Sequence, residues 1–151
     1  MIKIICVGKI KEKYYIDAIK EYQKRLQKYC KLEIIECNDY DLGEIDKNKK
    51  YEKEEIFKKI GEKDYIITME IEGKMLSSTE LACEINKISM NHSNITFIIG
   101  GSYGLDDDVK KISNMKLSFS KLTFPHQLFR VILLEQLYRA YKINNNESYH
   151  K

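Results

Sequence analysis

The chain has 151 residues, of which 43% are hydrophobic and 32% charged, with a net charge of +3. That length suits one domain spanning residues 1–151, long enough to bury about two-thirds of its unfolded surface. The mild charge permits an RNA partner without demanding one, and no apolar run approaches the length of a membrane span.

Four cysteines occur, Cys6, Cys30, Cys37 and Cys83, none in a CxxC pair, and the three histidines lie far apart. No zinc spacing results, and no metal is expected. Cys6 and Cys83 sit in apolar segments expected to be buried, and all four read as reduced thiols of a cytoplasmic protein. The amino terminus, Met-Ile-Lys-Ile-Ile-Cys-Val-Gly, is too short for a signal peptide and lacks a cleavage site.

Ile2 to Val7 is a β-rich run ending in Gly8, read as a first strand. Lys11 to Tyr29 is read as a helix, because Tyr15, Ile19, Tyr22, Leu26 and Tyr29 recur at four-three spacing along one face. Lys13, Lys20, Lys24, Lys28 and Lys31 fall opposite. A phosphate-binding stripe would look like this. A solvated face explains them more simply, since Asp17 and Glu21 interrupt the stripe.

Leu32 to Cys37 reads as a second strand. Asn38 to Lys50 is polar and turn-rich around Asp41-Leu42-Gly43 and predicts a loop. A charged helix is expected from about Lys49 to Ile60, stopped by Gly61. Tyr65 to Met69 reads as a third strand reaching as far as Ile71, with Gly73 breaking it. Ser77 and Glu80 form a capping box that opens a helix ending near Asn91. Ile95 to Ile99 is the fourth strand. The alternation predicts an α/β fold, with a mainly parallel sheet and helices on both faces.

The stretch from Ile95 to Gln127 holds three of the seven glycines and the only proline. Ligands of such sheets bind beyond the carboxyl ends of strands, so the site is sought here. Gly100-Gly101-Ser102-Tyr103-Gly104 matches neither the dinucleotide nor the Walker spacing. Asp106, Asp107 and Asp108 open the next helix, where the dipole stabilises carboxylates and where they would repel a pyrophosphate. A neutral or cationic adenosine-like ligand held by backbone groups fits better. Met115 to Phe119 is the fifth strand. The run from Phe119 to Phe124 supplies a second loop, and Pro125 suits the first turn of a helix.

His126 to Lys142 is apolar on nearly every side. Its own sheet can cover only one face, so a homodimer is predicted. His126 and Arg130 share one side of it, while Glu135 and Arg139 share nearly the opposite side as an i,i+4 pair. Arg130, amid apolar surface, requires a carboxylate, phosphate or ligand. The polar tail would ordinarily be disordered, yet Tyr149 and His150 could stack on and hydrogen-bond a nucleobase.

Taken together, Gly8-Lys9, Glu21-Tyr22, Ile71-Glu72-Gly73-Lys74, Phe97 to Gly101, Leu117-Ser118, Thr123-Phe124-Pro125-His126, Arg130, Glu135 to Ala140 and Tyr149-His150 resemble one family end to end. It is the SPOUT-class ribosomal RNA large subunit methyltransferase H family. The resemblance implies a C-terminal trefoil knot, an obligate homodimer and S-adenosylmethionine as methyl donor. It implies methylation at N3 of a pseudouridine in 23S rRNA on the assembled ribosome.

The family's cofactor contacts carry over onto Met69, Gly100 and the run Phe119, Ser120, Lys121, Leu122, Thr123 and Phe124. Its substrate-side residues carry over onto His126, Arg130, Glu135, Arg139, Tyr149 and His150, with His150 a candidate proton acceptor beside His126. Met69 stands where leucine is usual, Tyr103 replaces a smaller or polar residue, and Ser148 precedes Tyr-His where proline or alanine is common. The alternative reading is a non-catalytic RNA-binding assembly factor using the lysine stripe and tail. A flavodoxin-like nucleotide enzyme is a further rival.

Overall fold

A computed structural model describes residues 1–151. Five strands, β1 (Ile2–Val7), β2 (Leu32–Cys37), β3 (Tyr65–Met75), β4 (Ile95–Ile99) and β5 (Met115–Ser118), alternate with five helices. These are α1 (Lys13–Leu26), α2 (Ile45–Phe57), α3 (Ser78–Asn91), α4 (Asp107–Lys111) and α5 (His126–Asn144). The sheet runs β2-β1-β4-β3-β5, and every pairing is parallel. The α/β expectation therefore holds.

Alternate side chains of each strand point to opposite faces, and the sheet divides its core accordingly. Ile2, Ile4, Cys6, Phe97 and Ile99 pack with Ile85 of α3 and with Leu133 and Leu137 of α5. Ile5, Val7 and Ile98 face the other way, with Ile56 of α2 and Val109 of α4. Strands β1 and β4 are buried along their whole length, which is why both read as mainly apolar runs; their polar members, Lys3 and Thr96, both donate to the buried Asp64.

Several boundaries differ from the sequence reading. Helix α2 begins at Ile45, inside the segment expected to be a loop. The buried Asn48 reaches back there, its Oδ1 accepting the Leu42 N–H at 2.7 Å, and this closes the entry to the helix. The helix ends at Phe57, before Gly61, whose N–H instead binds Asp64.

Strand β3 runs through Gly73 rather than stopping at it. A bulge between Met69 and Lys74 shifts its register against β5. A Cβ at position 73 would lie 2.8 Å from the backbone of Leu117. The glycine serves close strand approach, not chain breaking. Cys83, expected to be buried, is exposed, and all four cysteines are free thiols. The capping box forms as predicted, with Glu80 N–H to Ser77 Oγ at 3.1 Å and Ser77 N–H to Glu80 Oε2 at 2.9 Å.

Pro125 is the N-cap of α5, with helical residues starting at His126. The tail is ordered. Asn146 takes the left-handed conformation at φ 54°, the Asn146 N–H reaches Ile143 O at 3.1 Å, and the Glu147 N–H reaches Lys142 O at 2.9 Å. Those two bonds are a Schellman ending, with asparagine in the place glycine usually takes. No helix is long and apolar enough to cross a membrane.

Candidate active site

A cavity of about 600 Å³ opens at the carboxyl ends of β3, β4 and β5. Met69, Glu70 and Ile71 of β3 form one side. Gly100, Gly101, Ser102, Gly104 and Leu105 follow β4, and Phe119, Ser120 and Leu122 to Pro125 follow β5. His126 and Phe129, in the first turn of α5, close the back. The two loops singled out from the sequence are thus opposing walls, and Met69 joins them. Lys121 is exposed and does not line the space.

Each wall has a local cause. Gly104, at φ 79°, donates its N–H to Gly101 O at 3.1 Å, and a Cβ on Gly100 would fall 2.8 Å from the Gly104 carbonyl carbon. Backbone therefore packs on backbone, and main-chain groups face the cavity. On the other wall, Ser118 Oγ donates to Ser120 O at 3.0 Å, and Ser120 Oγ accepts the Leu122 N–H at 2.9 Å. These side-chain turns replace the strand ladder where β5 ends. The rings of Phe119 and Phe124 rest on Phe129, with centroids 5.3 and 6.3 Å apart.

The lining includes no lysine or arginine. Its carboxylate is Glu70, which sequence reasoning passed over. The Glu70 side chain is 7% exposed, accepts from Thr68 Oγ1 at 2.6 Å and sits 3.8 Å from Lys110 Nζ. It follows Met69 where the β3 register shifts against β5, and nothing in its local sequence marks it out. Of the three aspartates opening α4, Asp106 caps the Asp108 N–H at 2.8 Å, and Lys53 Nζ lies 2.9 Å from Asp108.

His126 and Arg130 lie together at the cavity end of α5. Burial, and then the nearby Arg130 charge, lower the His126 pKa, so the imidazole is neutral at pH 7, and its Nδ1 is buried without a partner. Arg130 is 2% exposed. Its Nη1 donates to Glu36 Oε2 at 2.8 Å, and its Nη2 donates to Val7 O at 2.9 Å and Gly8 O at 2.7 Å. The partner its apolar setting required is therefore a carboxylate of β2, with the corner after β1.

Glu135, Arg139, Tyr149 and His150 form a second group. Glu135 Oε1 accepts from Arg139 Nη2 at 2.6 Å and from Tyr149 OH at 3.1 Å. The Arg139 guanidinium carbon sits 4.7 Å from the Tyr149 ring centre, and its Nη1 lies 3.2 Å from His150 Nδ1. Arginine can only donate. His150 Nδ1 therefore accepts, and the neutral ring presents an Nε2–H rather than a lone pair.

A clasp fixes the tail. Glu147 Oε2 accepts from Tyr29 OH and Lys142 Nζ, both at 2.8 Å. These pairs hold the Lys142 pKa up and the Glu147 pKa down. Arg139 lies thirteen positions beyond His126, so the two groups stand roughly 20 Å apart along α5. One chain does not bring the cavity and the tail group together.

The structure is thus a parallel α/β protein with a glycine-walled cavity free of lysine and arginine at its strand ends, and an arginine-bearing aromatic group displaced from it. The family model described as "Predicted SPOUT methyltransferase" matches residues 1–150, and the chain belongs to that family.

Among curated relatives, the chain is similar to the ribosomal RNA large subunit methyltransferase H of Clostridium novyi (strain NT), at 54% identity over 99% of each chain. It is similar to the protein of that name from Clostridium acetobutylicum at 51% identity, again over 99% of each chain. Among solved structures, it shares a fold with the tRNA (m1G37) methyltransferase of Aquifex aeolicus, at TM-score 0.56 and 18% identity over 91% of this chain and 69% of that one.

Proposed function

We propose that this methyltransferase uses S-adenosylmethionine to methylate N3 of a pseudouridine in 23S rRNA of the assembled ribosome, acting as a cytoplasmic homodimer. The observation that carries the reading is the cavity. Its lining has aromatic rings, backbone groups and the Glu70 carboxylate but no cationic side chain. That suits an adenosine-bearing sulfonium and offers nothing to a pyrophosphate. The relatives' names carry the ribosomal RNA substrate. The trefoil knot of the SPOUT class belongs to the same proposal.

Met69, Gly100 and the Phe119 to Phe124 loop would hold the donor, with Lys121 acting through its backbone or from outside the wall. When bound, the donor supplies an electrophilic methyl group for in-line displacement. Glu70 favours positive charge in the cavity. His126, kept neutral, adds no repulsion.

The acceptor imide must lose its N3 proton. Arg139 is a fixed cation, since Glu135 beside it raises its pKa, and it would stabilise the resulting anion. The Tyr149 ring offers a stacking face for the base. The His150 Nε2–H offers a donor to a base carbonyl, with solvent taking the imide proton. Arg130 supports the site by fixing the corner after β1.

Leu128, Val131, Ile132, Glu135 and Arg139 follow i, i+3, i+4, i+7, i+11 spacing along α5 and are only partly covered. A second copy lying antiparallel on this stripe would bring its Arg139 end to this chain's His126 end. The 20 Å gap within one chain then closes between two chains.

Titrating the protein calorimetrically with S-adenosylmethionine, then incubating it with labelled donor and unmethylated ribosomes, tests the function. Donor binding with label in 23S rRNA is expected. Binding without label would remove the substrate reading, and no binding at all would favour the assembly factor.

A further inference from the structure

We propose that Arg25 and Lys28, at the end of α1, bind the phosphate backbone of the RNA beside the acceptor nucleotide. This rests on the ribosomal RNA reading above and adds a surface to it. The Arg25 guanidinium carbon lies 5.5 Å from the Tyr22 ring centre and 5.6 Å from that of Tyr138. Two rings therefore hold one planar cation. Its Nε donates to Glu21 at 3.1 Å, while neither terminal nitrogen has a partner. A guanidinium held by its faces and inner edge, with its outer edge free, is prepared for bidentate contact with a phosphate.

Lys28 lies one turn on, its side chain 70% exposed and its ammonium 5.4 Å from the Tyr29 ring centre. The nearest carboxylate is Glu147 at 3.6 Å, already shared with Lys142 and Tyr29. Lys24 and Lys31 are exposed on either side. Basic residues at a helix end complement its dipole. That alone does not account for a guanidinium seated on two tyrosines.

The position of the strip points to the partner. The Tyr138 ring meets Tyr149 edge-on at 5.0 Å, and Arg139 lies over Tyr149. The two cations thus continue directly from the group that would face the acceptor base. Cations interleaved with aromatic rings suit an unpaired RNA segment, whose phosphates pair while its bases stack.

The test compares the wild type with Arg25→Gln/Lys28→Gln and with Lys28→Glu. Ribosome cosedimentation is measured across salt concentrations, alongside donor calorimetry and thermal melting. Donor affinity and melting temperature should hold. Ribosome affinity should fall roughly tenfold in the double variant, and the slope of log affinity against log salt should drop by about 1.5. The KM for ribosomes should rise while kcat holds.

Lys28→Glu, at an exposed site, should weaken binding without touching the packing of Arg25 on Tyr22 and Tyr138. Unchanged affinity and slope in both variants would overturn the proposal. So would a loss seen only together with a lowered melting temperature in the double variant and absent in Lys28→Glu. If the wild type binds ribosomes but leaves no label, the methylation reading fails, while the binding data still decide the strip.

Discussion

Replacing Arg130 separates a structural role from a chemical one. Its guanidinium makes three hydrogen bonds, one to Glu36 and two to the carbonyls of Val7 and Gly8, from a position that is 2% exposed. Truncating one partner of a buried ion pair costs about 3–5 kcal/mol. The Glu36 side chain is 37% exposed, so solvent screens part of that loss and the lower end applies. Two buried carbonyls also lose their donor.

Arg130→Ala should therefore cost about 3 kcal/mol, lowering the melting temperature by roughly 6–12 °C for a chain of this size. Arg130→Lys, a point cation that cannot span three acceptors, should lose less. Scanning fluorimetry or calorimetry reads both shifts, and donor calorimetry runs alongside. A lost turnover with an unmoved melting temperature would refute the structural assignment and return Arg130 to the chemistry.

Gly100→Ala places a Cβ 2.8 Å from the Gly104 carbonyl carbon, so the loop must shift; donor affinity measured by calorimetry should fall at least tenfold, with secondary structure by circular dichroism unchanged. Glu147→Gln weakens the clasp on Tyr29 and Lys142, and should lower kcat on ribosomes while donor affinity stays put; equal kcat would show that the tail needs no clasp. Burial, with the Asp39 carboxylate close by, pushes the Glu52 pKa from the ordinary 4.5 up to about 7. The folded chain then binds that proton more tightly than the unfolded one, so its stabilising effect is lost as pH rises through that interval and levels off above it. Urea melts between pH 4.5 and 8 should show Glu52→Gln lacking this part of the slope, and parallel profiles for the two proteins would contradict it.

Which features the sequence reveals follows from what holds them. Strands β1, β2 and β4 match their expected bounds, because short β-branched runs mark them: β1 and β4 are buried throughout, while β2, at the sheet edge, keeps Ile34 and Ile35 between Glu33 and Glu36. The Ser77–Glu80 box is equally readable, since its partners are three residues apart. Non-local causes are hidden. Gly73 looks like a strand break, because nothing nearby announces the Leu117 backbone packed against it. The start of α2 depends on a buried Asn48 in a polar stretch that resembles a loop.

At the site, the two cavity walls could be anticipated from glycine, serine and proline at strand ends, whereas Met69 came only from the family resemblance. Glu70 could not be told from any other strand-end carboxylate. Arg130 visibly needed a partner, but Glu36 lies 94 residues away, and Tyr29 lies 118 residues from Glu147. Consecutive asparagines suggested a loose tail, whereas one of them supplies the left-handed residue that turns it back.

In the proposed dimer, each site is built from one chain's cavity and the other chain's tail. Two impaired proteins test it, at a donor concentration far below what Gly100→Ala needs to bind: Gly100→Ala, damaged in the cavity, and Tyr149→Ala/His150→Ala, damaged in the tail. They are unfolded together, refolded as an equal mixture and assayed for methyl transfer to ribosomes. Half the dimers are mixed, and each mixed dimer holds one site with both parts intact, so activity should return to about a quarter of the wild-type level. A mixture as inactive as its components, with mixed dimers confirmed by native mass spectrometry, would contradict the account.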